Sequence, residues 1–202
     1  MNEGYVKFQS NWRKEAIHIH GKIFASLNKC RSKLYQLKLL GMYPDGIGYG
    51  NISVKTSSNT FYITGSATGQ YPSLEMKHYA EVLSYSFTQN SLSCVGLTQA
   101  SAESLTHASV YETVPEANAV IHVHCLWLWE KLLGYYPTTS SEIGYGTPEM
   151  ALAVQALAKE TANRANKLIV MGGHKEGILT YGQNLEEATN EIINIYNQYR
   201  NE

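Results

Sequence analysis

The run Ala119-Val-Ile-His-Val-His124 constrains the fold more than any other stretch of the chain. Successive side chains of a β-strand point to opposite faces, so residues two apart share one face. As a strand, this run sets His122 and His124 side by side, while Ile121 and Val123 turn the other way and can be buried against a helix. Two adjacent imidazoles on a rigid strand suit a divalent metal such as zinc, which takes neutral nitrogen donors at about 2.0–2.1 Å. A third histidine, His174, follows another apolar run, Leu168–Met171, within Gly172-Gly-His-Lys-Glu-Gly177. Three histidines leave coordination positions open, which is the arrangement of a catalytic rather than a structural site.

Helices alternate with strands along the rest of the chain. From Asn11 to Leu40 there are few breakers, and Ile17, Ile23, Phe24, Leu27, Leu34, Leu37 and Leu40 make a stripe. That spacing predicts a helix stopping at Gly41. Tyr43–Gly50 is rich in turn residues and reads as a loop. Asn51–Lys55 and Thr60–Thr64 read as a hairpin, followed by a glycine-containing loop to Gln70. A short helix after Ser73 and a strand around Tyr85–Phe87 come next. Ser101 is expected to cap a helix over Ala102–Glu112 that stops before Pro115. Thr147-Pro148-Glu149 joins a capping hydroxyl, a first-turn proline and an acid, and starts a helix to about Asn163. Strands at Lys167–Met171 and Gly177–Tyr181 precede a last helix from Asn184, with Glu187 as its capping-box partner. The 202 residues suffice for a substantial core. Residues 1–202 read as one α/β layered domain with no linker or repeat.

The other polar candidates carry weaker signals. His18 and His20 repeat the spelling inside a helical pattern, where residues two apart diverge by about 200°, so they form no site. His107 falls within the helix after Ser101 and is expected to pack or to make one buried hydrogen bond. His78 reads as an exposed helical residue. Glu103 sits in the first turn of its helix, where the helix dipole alone favours an acid. It becomes a proton shuttle only if that helix start faces the histidines.

Composition excludes several classes. Sixteen basic and 17 acidic residues, a net charge of −1, give no field for nucleic acid. Cys30, Cys94 and Cys125 are odd in number and far apart, which fits reduced thiols in a cytoplasm rather than a disulfide frame. The N-terminus lacks the basic and apolar regions of a signal peptide, and no apolar run approaches the roughly 20 residues that span a bilayer. The expectation is a soluble, cytoplasmic protein with neither a nucleic-acid nor a membrane partner.

Four segments, taken together, resemble the class II aldolase/adducin family. Tyr49-Gly-Asn-Ile-Ser-Val54 is similar to its phosphate-loop motif, G-N-[IV]-S. Ile63-Thr64 with Gly65–Gly69 is similar to its I-T-P-[ST]-G loop. Ser101-Ala-Glu-Ser-Leu-Thr-His107, continuing through Tyr111, Pro115 and Asn118–His124, resembles S-[ST]-E-x-x-x-H…P…N-A-[VI]-x-H-x-H. His174 with Gly177, Gly182, Leu185, Glu186 and Ala188 resembles its last block, and Gly144-Tyr-Gly-Thr147 also fits. The likeness runs from about Leu27 to Tyr196.

The resemblance implies an α/β fold: a single three-layer α/β/α domain around a mixed, largely antiparallel sheet. It implies that His122, His124 and His174 bind zinc or another divalent metal, and that Glu103 is the catalytic acid/base. It places Asn51, Thr68, Gly69 and Ser101 in a phosphate pocket. The implied activity is aldolase-type lyase chemistry, carbon–carbon cleavage through a metal-stabilised enediolate, on a small phosphorylated ketose or hydroxyketone. Glu103 would then need a carboxyl pKa raised toward neutrality by burial. A homotetramer with active sites at subunit interfaces is also implied. An epimerase, a methylthioribulose-phosphate dehydratase and a non-catalytic adducin-like binding protein are the alternatives on the same scaffold. Three departures stand out: Ala102 replaces the usual hydroxyl residue, the Gly65–Gly69 loop is longer by about two residues, and Lys175-Glu176 separates His174 from its glycine. Lys175 reads as a solvated loop residue.

Overall fold

The computed structural model describes residues 5–57, 59–162, 164 and 166–200. Among the described residues, ten strands and five α-helices follow one another: β1 (Gln9–Arg13), α1 (Gly21–Gln36), β2 (Gly41–Met42), β3 (Gly48–Tyr49), β4 (Asn51–Lys55), β5 (Phe61–Thr64), β6 (Tyr79–Ser86), β7 (Ser91–Val95), α2 (Ser104–Thr113), β8 (Ala119–His124), α3 (Leu126–Leu132), α4 (Pro148–Thr161), β9 (Leu168–Val170), β10 (Gly177–Gly182) and α5 (Leu185–Arg200). Eight of the strands form one sheet in the order β1-β7-β6-β5-β4-β8-β10-β9, while β2 and β3 pair separately. Every neighbouring pair in the large sheet is antiparallel except β1 with β7, so the sheet is mixed, as expected.

Apolar residues on the two sides of this sheet make two cores. Leu27 and Leu34 of α1, Leu128 of α3 and Ile192 of α5 pack with Ile52, Ile121 and Val123. Leu105 and Val110 of α2, with Met150 and Val154 of α4, pack with Phe61, Ile63 and Val120. The architecture is therefore three-layered, α/β/α. Among the described residues no helix is long and apolar enough to cross a membrane.

Local signals hold where the chain makes its own hydrogen bonds. The Thr147 hydroxyl accepts from the Met150 amide at 3.2 Å and opens α4. The Asn184 side chain accepts from the Glu187 amide at 2.9 Å, and Glu187 reaches back to the Gln183 amide at 2.8 Å. The hairpin of β4 and β5 is present, with Ser53 opposite Ile63.

The N-terminal segment departs from the helix predicted over Asn11–Leu40. Gln9–Arg13 is a strand that adds in parallel to β7, with Trp12 opposite Cys94. Its pairing partner lies some eighty residues on, so no local periodicity announces it. The helix begins only at Gly21, with His20 as its N-cap, and ends at Gln36, ahead of Lys38 in the left-handed region at φ 57°. His18 and His20 thus precede the helix rather than lie in it. The short helix after Ser73 is a single 3-10 turn, Met76–His78, and the strand expected near Tyr85 starts already at Tyr79. His78 is half-buried, stacked on Tyr71 with ring centroids 4.7 Å apart, rather than exposed. Strand β7 and helix α3 were not predicted by the sequence pattern.

Candidate active site

Strand β8 lies between β4 and β10, with Asn51 opposite His122 and Gly177 opposite His124. All six of its residues are buried. Ala119, Ile121 and Val123 join the core under α1, α3 and α5, whereas Val120 joins the core under α2 and α4. Strand alternation puts His122 and His124 on the face of Val120, toward α2.

His174 arrives from the turn between β9 and β10, held by its own amide to the Met171 carbonyl at 3.1 Å. Two glycines make that approach possible. A Cβ on Gly173 would lie 1.9 Å from the Ile143 carbonyl oxygen, and one on Gly177 would lie 3.1 Å from His122 Nε2. The result is three convergent rings, with centroids 4.9 Å apart for His122–His124, 4.9 Å for His122–His174 and 4.7 Å for His124–His174. One ring nitrogen from each lies within 4.8 Å of the others.

Burial and the neighbouring imidazoles push both His122 and His124 well below the ordinary histidine pKa. Both rings are therefore neutral at pH 7 and offer lone pairs. Neither nitrogen of His122 has a hydrogen-bond partner among the described residues. Buried polar atoms of this kind are costly when unsatisfied. A cluster of neutral nitrogen donors is the set a borderline-soft divalent cation takes, so this cluster could hold a metal ion.

Glu103 stands immediately before the first residue of α2, and its side chain caps no backbone amide of that helix. Its Oε2 instead accepts from the Thr106 hydroxyl at 2.8 Å, and its Oε1 lies 3.9 Å from His174 Nδ1. Glu103 as a whole is only 4% exposed. Ser101, expected as the cap, acts two residues earlier: its carbonyl accepts the Ser104 amide and hydroxyl, at 3.1 and 2.6 Å.

The predicted residues gather in one cleft. Asn51, Thr68, Gly69, Ser101, Glu103, His122, His124 and His174 all line it. The amide oxygen of Asn51 is buried and without a partner among the described residues. Thr68 spends its hydroxyl on the Gly65 carbonyl at 2.8 Å, closing the longer loop on itself. Lys175 is exposed, as its sequence context suggests.

Two further residues shape this cleft that sequence reasoning overlooked. Tyr145 stacks on His174, with centroids 4.8 Å apart and planes inclined by 29°. Arg31 is 1% exposed, and its guanidinium donates to the carbonyls of Tyr71, Thr68 and Gly69 at 2.8, 2.8 and 3.4 Å. Arg31 thereby pins the loop that carries Thr68 and Gly69. A charged residue four after Leu27 and three before Leu34, inside the buried stripe of α1, was the available signal. His107 behaves as predicted: it is buried, 2.6 Å from the Ser53 hydroxyl, and burial lowers its pKa to about 3. The Ser53 hydroxyl in turn lies 2.7 Å from that of Tyr111.

Residues 44–200 match the family model of the class II aldolase and adducin N-terminal domain. The chain belongs to the class II aldolase and adducin family. Solved structures share its fold at low identity. YgbL from Klebsiella pneumoniae superposes with a TM-score of 0.66 at 18% identity, over 89% of this chain and 87% of that one. An L-fuculose 1-phosphate aldolase gives 0.66 at 22% identity, over 90% and 86%. The L-fuculose-1-phosphate aldolase of Thermus thermophilus gives 0.62 at 20%, over 88% and 91%. A comparison with curated protein sequences finds no match.

Proposed function

We propose that this protein is a divalent-metal-dependent lyase that breaks or forms a carbon–carbon bond in a small phosphorylated ketose or hydroxyketone. One observation carries the reading: three buried imidazoles converge beside a buried carboxyl that caps no amide of its helix. His122, His124 and His174 would hold the cation, zinc in the simplest case. When bound, the cation supplies Lewis acidity to adjacent carbonyl and hydroxyl oxygens of a substrate. Glu103 is the acid/base. Thr106 fixes Oε2, which turns Oε1 toward the imidazoles as the atom that takes or returns the substrate proton. Asn51 and Ser101, with the backbone of the Thr68-Gly69 turn braced by Arg31, bind the phosphate. Small hydroxyls and loop amides can cradle an anion without a lysine. Tyr145 walls the cleft beside His174 and helps exclude water. A homotetramer with active sites at subunit interfaces completes the proposal.

The test is a screen of phosphorylated and unphosphorylated ketoses with zinc-loaded protein, read by the carbonyl fragments released. Cleavage of a phosphorylated ketose and about one divalent metal per chain are expected. A product with its carbon skeleton intact but a stereocentre inverted or water lost would move the protein to the epimerase or dehydratase reading. Purified protein that neither contains nor is stabilised by zinc would leave an adducin-like binding module. Light scattering that returns the mass of a single chain would remove the tetramer.

A further inference from the structure

The two residues inserted between His174 and its glycine lead to a hydrogen-bonded chain behind the cleft. The Tyr43 hydroxyl lies 2.9 Å from His124 Nδ1 and donates to Glu176 Oε2 at 2.7 Å. Tyr43 is set by a tight turn, its amide on the Ile47 carbonyl at 2.8 Å, and its ring packs on Tyr49 with centroids 4.4 Å apart. Glu176 is a non-glycine residue in the left-handed region at φ 73°. Its carbonyl is held by the Cys125 amide at 3.0 Å, one residue beyond His124. A backbone conformation that is unfavourable for a side chain bearing a Cβ persists where the surroundings demand it.

From this geometry we infer that Tyr43 and Glu176 are positioning residues that fix which nitrogen of His124 faces the metal cleft. The inference rests on the metal-site reading above and deepens it. A tyrosine hydroxyl has one proton. A carboxylate only accepts, so that proton lies on the Glu176 side. The Tyr43 oxygen then accepts from His124, which puts the imidazole proton on Nδ1 and leaves the lone pair on Nε2. The neutral ring is thus locked in both orientation and tautomer, ready to ligate through Nε2. Carboxylates and other acceptors that hold a ligating histidine in this way are typically worth about 10–100-fold in metal affinity. The family's ordinary H-G spacing has no residue at the Glu176 position, so this device belongs to the inserted pair in this chain.

Three variants test it: Tyr43→Phe, Glu176→Ala and Glu176→Gln. Two readouts apply to each: zinc affinity by competition with a chromophoric chelator, and the His124 tautomer by nitrogen-15 NMR of the metal-free protein. Tyr43→Phe keeps the ring on Tyr49 and loses the oxygen, so zinc affinity falls about 10–100-fold. Glu176→Ala frees the tyrosine proton to turn onto Nδ1, so the His124 proton moves to Nε2 and affinity falls similarly. Glu176→Gln retains an acceptor oxygen and rescues both the tautomer and most of the affinity. The double variant Tyr43→Phe/Glu176→Ala loses no more than the single ones, since both act through one nitrogen. Wild-type zinc binding, with Tyr43→Phe and Glu176→Ala unchanged within twofold and the tautomer unmoved, overturns the relay alone. Wild-type protein with the predicted tautomer but no zinc binding overturns the metal-site reading and, with it, this role for the relay.

Discussion

The two faces of the central sheet follow opposite rules. Under α1, α3 and α5 the buried layer is mostly apolar, with Arg31 and Thr189 as polar exceptions, and α5 buries Leu185, Ala188, Ile192 and Ile195 at helical spacing. Under α2 and α4 the rule changes at one helix. Every residue of α2 from Ser104 to Tyr111 is buried, yet Leu105, Ala108 and Val110 alternate with Ser104, Thr106, His107 and Ser109. An apolar layer needs only shape and volume. A buried polar helix needs a partner for each donor and acceptor. Ser104 and Ser109 find theirs on backbone carbonyls, His107 Nδ1 on Ser53, and Thr106 on Glu103, while His107 Nε2 is left without one among the described residues. The cleft opens on this second face, beside the buried polar groups at the start of α2 and on β8.

The separation can be broken by substitution. If the polar face carries the chemistry, Glu103→Gln lowers turnover by about 10²–10⁴. Zinc content and thermal midpoint stay unchanged, and steady-state kinetics with elemental analysis measures both. Full turnover in that variant removes Glu103 from the mechanism. On the apolar face, Ile121→Ala costs about 2–5 kcal/mol of stability by urea unfolding. Zinc bound per folded chain is unchanged; a loss of zinc in proportion to stability would mean that the two faces are not separable. Ser53→Ala sharpens the contrast, because it strips the hydroxyl between His107 and Tyr111 and costs about 1–3 kcal/mol. A neutral effect would show that water fills the gap.

A last contrast lies in the pH dependence, which is gradual within any one pH unit. Folded His107 stays neutral down to about pH 3, whereas an unfolded histidine takes up its proton near 6.5. Between those values the unfolded state binds more protons, so stability falls as pH drops. The slope from this one group is at most about 1.4 kcal/mol per pH unit. Metal-free His107→Gln is expected to show a correspondingly flatter stability profile from pH 6.5 downward. An identical profile would mean that His107 titrates equally in both states.

Legibility followed the range of the interactions. The strand His122–His124 could be read because alternation is a property of neighbouring residues. The cap at Thr147 and the one at Asn184 close within three residues, and both were visible. The order of the family's motifs brought Asn51, Ser101, Glu103 and His174 into view, although 52 residues separate His122 from His174. Asn11–Arg13, the end of β1, was misread as helix because a strand's hydrogen bonds lie in its partner, here β7, and the apolar residues after it continue into a true helix. Arg31 was passed over because a guanidinium inside an apolar stripe makes sense only once the carbonyls of Thr68, Gly69 and Tyr71 are seen around it. Tyr43 and Glu176, 133 residues apart, carry no local signature at all.

Sequence alone therefore determined the strand with two imidazoles on one face, the helix starts at Thr147 and Asn184, and membership of the class II aldolase and adducin family. Tertiary structure alone decided that Glu103 Oε1 lies near His174, that Arg31 braces the Thr68-Gly69 loop, and that Tyr43 bridges His124 to Glu176. The physical reason is that periodicity and capping are settled within a few residues of chain. Convergence of side chains depends on strand register and turn geometry, which are set by partners far away in sequence.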